Sequence, residues 1–80
     1  MGSTPDPIEV IVRHDKSGKA YPLQLVSRGA THPVTDIGRR WQDDDGEHIL
    51  VMLNSNQVCE LLQDRQGCWF ILPRPGFSLA

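Results

Sequence analysis

The sequence lacks any long apolar segment. Its longest apolar runs, such as residues 49–53, are far shorter than the roughly 20 residues that a membrane-spanning helix requires. The first seven residues have neither the basic start nor the apolar core of a secretion signal. These absences predict a cytoplasmic protein that does not associate with a membrane.

Cysteine and aromatic residues are scarce. There are two cysteines, and aromatic residues make up 6% of the chain. Cys59 and Cys68 lie on either side of a predicted tight turn at residues 64–67, which places Cys59 several residues along the opposite strand. A disulfide needs a Cα separation of about 4.4–6.8 Å. We therefore expect two reduced thiols, as is usual in the cytoplasm.

Neither sign of charge is in large excess. The formal net charge is −2, with 39% apolar and 22% charged residues, which is typical of a globular protein.

Eighty residues suffice for one domain. We expect a disordered lead-in at residues 1–6, one domain at 7–73 and a tail at 74–80. Phe77 and Leu79 of the tail are expected to fold back over an open end of the barrel, to be disordered or to dock on a partner.

Turn signals, by contrast, are frequent. They recur every 10 to 15 residues, at positions 15–18, 28–29, 43–46, 54–56 and 64–67. The stretches between them are short and rich in valine, isoleucine, leucine and aromatic residues, as expected of strands. The pattern predicts an all-β domain. We expect an antiparallel meander of about six strands that closes into a small, SH3-like, partly open barrel.

The predicted strands cover residues 8–14, 20–27, 31–42, 47–53, 57–63 and 68–72. In the second strand, Tyr21, Leu23 and Leu25 are expected to point inward. Pro22 indicates that this strand lies at an edge there or starts late. The apolar spacing of the third strand changes phase, which predicts a bend or bulge near Gly38.

The fifth segment allows two interpretations. Asn54 and Gln57 have the spacing of a helix capping box, and Val58, Leu61 and Leu62 have helical spacing. The same residues also form a plausible strand that leads into a tight turn. The pattern alone favours the strand.

The most suggestive functional group is Arg28, Arg39, Arg40 and Trp41. Arginines that contact phosphates beside an aromatic ring that stacks on bases are a common way to bind single-stranded nucleic acid. The alternative is that Trp41 is a core or rim residue and the arginines are solvated charges. Residues 43–45, three consecutive aspartates, favour this alternative because they would repel phosphates within about 8–10 Å.

Metal binding and catalysis find no support in the sequence. Residues 43–47 fail the calcium-loop template and form a strong hairpin turn signal instead. No two of the possible zinc ligands have the short spacing of a zinc site; these are His14, His32, His48, Cys59 and Cys68. We expect His14 and His48 at strand ends, and we expect no enzymatic activity and no cofactor.

The chain resembles a small bacterial domain of unknown function that is often encoded beside Y-family, ImuB-like DNA-repair polymerases. The resemblance covers most of residues 7–72 and lies in these elements: Pro7-Ile8-Glu9-Val10, Arg28-Gly29, Val34, Ile37, Arg39-Arg40-Trp41-Gln42, Val58-Cys59-Glu60-Leu61 and Gly67-Cys68-Trp69. It implies six strands, including the fifth segment, but brings no established activity.

The chain departs from this family around the Arg28-Gly29 turn. There the family usually has a tryptophan before the turn and basic or aromatic residues after it, whereas this chain has Ser27, Ala30, Thr31 and His32. If that cluster has a function in the family, this chain has lost much of it. We therefore expect a monomeric, non-catalytic module that binds another protein, with a link to DNA repair. Single-stranded nucleic-acid binding through the arginines and Trp41 is the alternative.

Overall fold

The computed structural model describes residues 6–54 and 57–72, all of which belong to strands or to the short connections between them. Seven strands follow one another along the chain: β1 (Asp6–Pro7), β2 (Glu9–His14), β3 (Ala20–Ser27), β4 (Ala30–Asp43), β5 (Gly46–Leu53), β6 (Val58–Gln63) and β7 (Trp69–Leu72). The expectations for residues 1–5 and for Phe77 and Leu79 lie outside the described residues.

The strands form one antiparallel sheet in the order β1-β7-β6-β5-β4-β3-β2. Only Ile8 separates β1 from β2, and yet β1 pairs with β7 whereas β2 pairs with β3. The N-terminal chain therefore connects the two ends of the sheet, and the amide of Ile8 donates a hydrogen bond to the carbonyl of Trp69 at 3.1 Å. The result is the predicted small, partly open, SH3-like barrel.

The fifth segment is a strand. Residues 58–62 pair in regular register with β5, and no helix occurs among the described residues. Consequently, none of this part of the chain is a helix long and apolar enough to span a membrane. Cross-strand pairing on both sides of β6 stabilises the extended form, which local helical spacing cannot outweigh.

The core lies inside the curled sheet and is built from alternate residues of the central strands. Its members are Leu25, Ile49, Val51, Leu53, Cys59, Leu61 and Ile71. The inward residues of β5 are at most 2% exposed, as their alternation predicts. Cys59 is buried within this core, whereas Cys68 is exposed in the turn before β7.

In β3 the predicted inward face is partly wrong. Leu23 is 44% exposed, while Ala20, Pro22 and Leu25 are buried. The pairing with β2 shifts register here, and Leu23 is the extra residue of a β-bulge. Because a bulge reverses the face on which later residues lie, the simple alternation from Tyr21 to Leu25 does not hold.

The barrel opens between β3 and β4. These strands pair only through residues 24–27 and 30–33, so Pro22 lies where β3 pairs with β2 alone. The rest of β4 pairs with β5, with register shifts after Val34 and after Ile37 that confirm the bend near Gly38. We call the gap between residues 20–23 of β3 and 34–43 of β4 the seam.

Candidate functional site

The structure separates the four residues of the predicted arginine-tryptophan group. Arg28 lies in the turn between β3 and β4 with a φ of 51°, and it is exposed. Arg39, Arg40 and Trp41 lie near the other end of the 14-residue strand β4. Because side chains alternate along a strand, Arg40 points to the opposite face from its two neighbours. The four residues therefore do not form one surface.

Arg40 spans the seam. Its Nη1 donates a hydrogen bond to the carbonyl of Ala20 at 2.8 Å, and its Nε donates to Oε2 of Glu47 at 3.1 Å. Its Nη2 lies 3.0 Å from the same carboxylate oxygen. The guanidinium thus connects β3 to β5 where β3 and β4 no longer pair. Its charge is matched within the fold, so it is a structural link more than a free binding group.

Trp41 already has two groups against its ring. The imidazole of His48, its cross-strand partner, stacks parallel to the indole with centroids 5.1 Å apart. The guanidinium of Arg39 lies over the same ring at 5.4 Å from its centroid. A nucleobase could stack on Trp41 only by competing with these contacts.

His48 lies between two carboxylates on the outer face of the sheet. Its Nε2 is 2.7 Å from Asp43, its Nδ1 is 2.7 Å from Glu60, and the residue is 6% exposed. Burial of the ring acts most strongly and lowers its pKa, but hydrogen bonds to both carboxylates and their charges outweigh burial and raise it. The hydrogen bond to His48 likewise lowers the pKa of Asp43.

This cluster predicts a stability that depends on pH. Because folding raises the pKa of His48 above 6.5, its stabilising contribution is complete below about pH 6.5 and is lost as pH rises through the folded-state pKa. Because folding lowers the pKa of Asp43 below 3.8, its stabilising contribution is complete above about pH 3.8 and is lost as pH falls through the folded-state pKa. We expect a higher free energy of unfolding at pH 6 than at pH 9, measured by urea denaturation.

Matched histidine variants provide the control for this prediction. His48→Gln should remove most of the difference between pH 6 and pH 9, because glutamine cannot carry the charge that both carboxylates stabilise. His14→Gln changes an exposed histidine at the end of β2 and should leave the difference in place. Equal slopes in the wild-type protein and His48→Gln would contradict the role of the cluster.

A second group of cations surrounds Tyr21, beside the seam. The guanidinium of Arg13 and the ammonium of Lys19 lie 5.1 Å and 5.8 Å from the centroid of its ring. Arg40 approaches the same ring at 5.5 Å. Tyrosine and arginine are prominent among the residues that contribute most to binding at protein interfaces.

The turn between β2 and β3 fixes the position of Tyr21. Its hydroxyl donates a hydrogen bond to Oδ2 of Asp15 at 3.1 Å. The other oxygen, Oδ1, accepts hydrogen bonds from the hydroxyl and amide of Ser17 and from the amide of Lys19. The bond from the Ser17 hydroxyl is the largest of the causes that lower the pKa of Asp15 to about 2. Asp15 thus organises the turn that carries Lys19.

Sequence reasoning missed the cations around Tyr21. Arg13 is the cross-strand partner of Tyr21, and Lys19 precedes it by two residues. The spacing of Lys19 is visible in the sequence, but alternation predicts Tyr21 on the inner face. Because Leu23 is an extra residue in β3, the buried positions before it are Ala20 and Pro22, and Tyr21 lies on the other face.

Exposed apolar side chains lie on the same hairpin. Ile11 is 43% exposed and pairs with Gln24, and Leu23, the unpaired bulge residue next to Gln24, is 44% exposed. Leu23 belongs to the part of β3 that borders the seam. An exposed apolar pair beside cations and an aromatic ring has the mixed composition of a protein-binding surface.

The edge of β4 along the seam offers main-chain groups. Within the described residues, the registered pairing of positions 34–43 is with β5 alone. A strand edge of this kind presents amide and carbonyl groups that an extended segment can pair with. The two bulges and the Arg40 bridge to Ala20 limit such pairing to a short stretch before residue 40.

The side chains around His48 already have partners within the fold. Both ring nitrogens of His48 are engaged by carboxylates, which occupies the groups that a catalytic base would use. Among residues 6–54 and 57–72, no group of three or more histidine, cysteine, aspartate or glutamate side chains is arranged to hold a metal ion.

No protein-family model, no curated protein and no solved structure matches this chain.

Proposed function

We propose that this domain is a non-catalytic module that binds another protein at the seam. The observation that supports this most is the open pairing of β4, whose residues 34–43 have a strand partner on one side within the part of the chain described. Small barrels commonly bind partners by accepting an extended segment at such an edge. Leu23 and Ile11 supply apolar contact beside it.

Selection from an unbiased peptide display library tests this proposal. We expect the folded domain to enrich peptides. Leu23→Thr should weaken their binding by about tenfold, because the loss of apolar contact costs roughly 1.4 kcal/mol of binding free energy. Threonine retains the preference for strands, so the variant should fold.

Val58→Thr is the matched control. Val58 is also an exposed aliphatic residue in a strand, at 40% exposure, but it lies on β6, away from the seam. Its replacement should leave peptide affinity unchanged. Failure to enrich any peptide, or equal losses in the two variants, would count against binding at the seam.

The proposed link to DNA repair rests on the resemblance in sequence alone. Affinity capture from bacterial cells should recover replication or repair proteins with the wild-type domain and fewer of them with Leu23→Thr. Capture that contains none of these proteins would remove the link without affecting the proposal for the seam.

Single-stranded nucleic-acid binding through Arg28, Arg39, Arg40 and Trp41 is the second candidate. The exposed Arg39 beside the ring of Trp41 favours it. The ion pair of Arg40 with Glu47 and the position of Arg28, in the turn at the far end of β4, do not. Quenching of Trp41 fluorescence by an oligonucleotide at low salt, weakening steeply as salt rises, would support it.

A further inference from the structure

We propose that the partner segment at the seam is acidic and extended, and that Arg13 and Lys19 bind its carboxylates over the ring of Tyr21. This inference rests on the proposed function, because it names the chemistry of the segment that the seam would accept. It is supported by the charges beside the seam, by their lack of partners within the described fold and by the shape of the surface.

Two of the three cations over Tyr21 are available to a ligand. Arg40 is bound by Glu47. Within residues 6–54 and 57–72, the carboxylates that form ion pairs are bound to Arg40 and to His48, and none is bound to Arg13 or Lys19. The hydroxyl of Tyr21 contacts the nearby carboxylate of Asp15, which is itself held by three hydrogen bonds from the turn.

The cations are also held in place. Stacking over Tyr21 restricts the rotamers of Arg13 and Lys19 before any ligand binds, and the Asp15 turn fixes the backbone of Lys19. Less side-chain entropy is then lost on binding, which strengthens an ion pair relative to one formed by a mobile surface lysine. A carboxylate is the ligand that these two groups would bind through charge-assisted hydrogen bonds.

The geometry of an extended peptide fits the rest of the surface. Side chains of a strand alternate between two faces. Ile11 and Arg13 lie two residues apart in β2, so they share one face of the β2–β3 hairpin. A segment that pairs with the edge of β4 can place an acidic residue near Arg13 and Lys19 and an aliphatic residue further along, near Ile11 and Leu23. This favours a segment that contains both acidic and aliphatic residues.

A nucleic acid fits the surface less well than an acidic peptide does. Within the described residues, two cations beside Tyr21 have no carboxylate partner, Arg13 and Lys19. A phosphate backbone needs a continuous basic track, whereas a short peptide can place its carboxylates at two cations. The exposed aliphatic pair likewise suits aliphatic side chains better than nucleobases.

Three synthetic peptides of equal length test this inference by fluorescence anisotropy: one alternating glutamate with valine, one alternating glutamine with valine and one alternating lysine with valine. We expect the glutamate peptide to bind at least about tenfold more tightly than the other two, with affinity falling as salt rises. A thymidine oligonucleotide of similar charge is the fourth probe, and it should bind more weakly than the glutamate peptide.

Charge-reversal variants locate the binding. The double variant Arg13→Glu and Lys19→Glu should weaken binding of the glutamate peptide by about tenfold or more. The control, Lys16→Glu with Arg65→Glu, makes the same change in net charge at exposed turn positions and should weaken it by less than about threefold. Circular dichroism and the urea midpoint establish that both variants are folded.

The outcomes separate the inference from the function on which it rests. Equal or tighter binding of the glutamine or lysine peptide at the seam would overturn the acidic partner and leave the protein-binding module intact. Equal losses in the two double variants would also overturn it. Failure of all three peptides to bind would overturn the acidic partner but not the proposal for the seam, which the display library tests separately. Tighter binding of the oligonucleotide would replace the acidic peptide with a nucleic acid.

Discussion

Replacing Gly46 by alanine is expected to lower the free energy of unfolding by about 3–5 kcal/mol. Gly46 begins β5 with a φ of 141°, a backbone conformation that residues other than glycine rarely adopt. A Cβ at this position would overlap the carbonyl oxygen of Gln63 and lie 3.0 Å from the Cα of Asp64. Both are backbone atoms, so relief requires β5 and β6 to separate. Urea denaturation followed by circular dichroism measures the loss.

Gly18→Ala separates the contribution of backbone conformation from that of packing. Gly18 also has a positive φ, 87°, but a Cβ there would meet no atom within 4 Å. The cost should therefore be only about 1–2 kcal/mol, the strain of the left-handed conformation. If the two alanine variants lose equal stability, the close approach of β5 to the end of β6 is not what requires glycine at position 46.

Replacing Arg40 by alanine is expected to lower the free energy of unfolding by about 2–3 kcal/mol. The substitution removes the bonds to the Ala20 carbonyl and to Glu47, and it leaves a partly buried carboxylate without its cation. Because these contacts hold β3 to β5 across the seam, local opening there should also increase. Urea denaturation gives the stability, and hydrogen exchange at residues 20–23 gives the opening.

Arg39→Ala is the control at the adjacent position. Arg39 is exposed and contacts the ring of Trp41, so its loss should change stability by less than about 0.5 kcal/mol. Arg40→Lys should recover little of the lost stability, because an ammonium cannot reach both partners in the geometry of a guanidinium. Similar losses for Arg39→Ala and Arg40→Ala would contradict the assignment of Arg40 as the link across the seam.

Much of the fold could be predicted from local signals. The turn signals and period-two alternation predict all six main strands, and the predicted bounds of the second strand, residues 20–27, agree with β3. The phase change near Gly38 correctly indicates an irregular β4. These features depend on residues close together in sequence, and a single sequence carries that information.

The features that the sequence did not predict depend on register. The bulge at Leu23 becomes visible only when β2 and β3 are aligned, and it reverses the expected orientation of Leu23. His48 was expected at a strand end with an ordinary role, yet the pairing of β5 with β4 and β6 brings its ring between Asp43 and Glu60. Nothing in local spacing specifies which residues meet across strands.

The arginine-tryptophan group illustrates the same limit. Proximity in sequence suggested one shared surface, but alternation along β4 directs Arg40 away from Arg39 and Trp41. The ion pair with Glu47 and the cations around Tyr21 follow from tertiary pairing. A second group of basic and aromatic side chains lies beside Tyr21, one hairpin away from Arg39 and Trp41.

An amide chemical-shift map of the domain, titrated with a peptide recovered from the display library, tests binding at the seam most directly. The account predicts that the perturbed amides concentrate in residues 20, 21 and 23 of β3 and 34–40 of β4, which border the seam. Perturbation concentrated instead in residues 58–63 and 69–72, on the side of the sheet formed by β6 and β7, would contradict it.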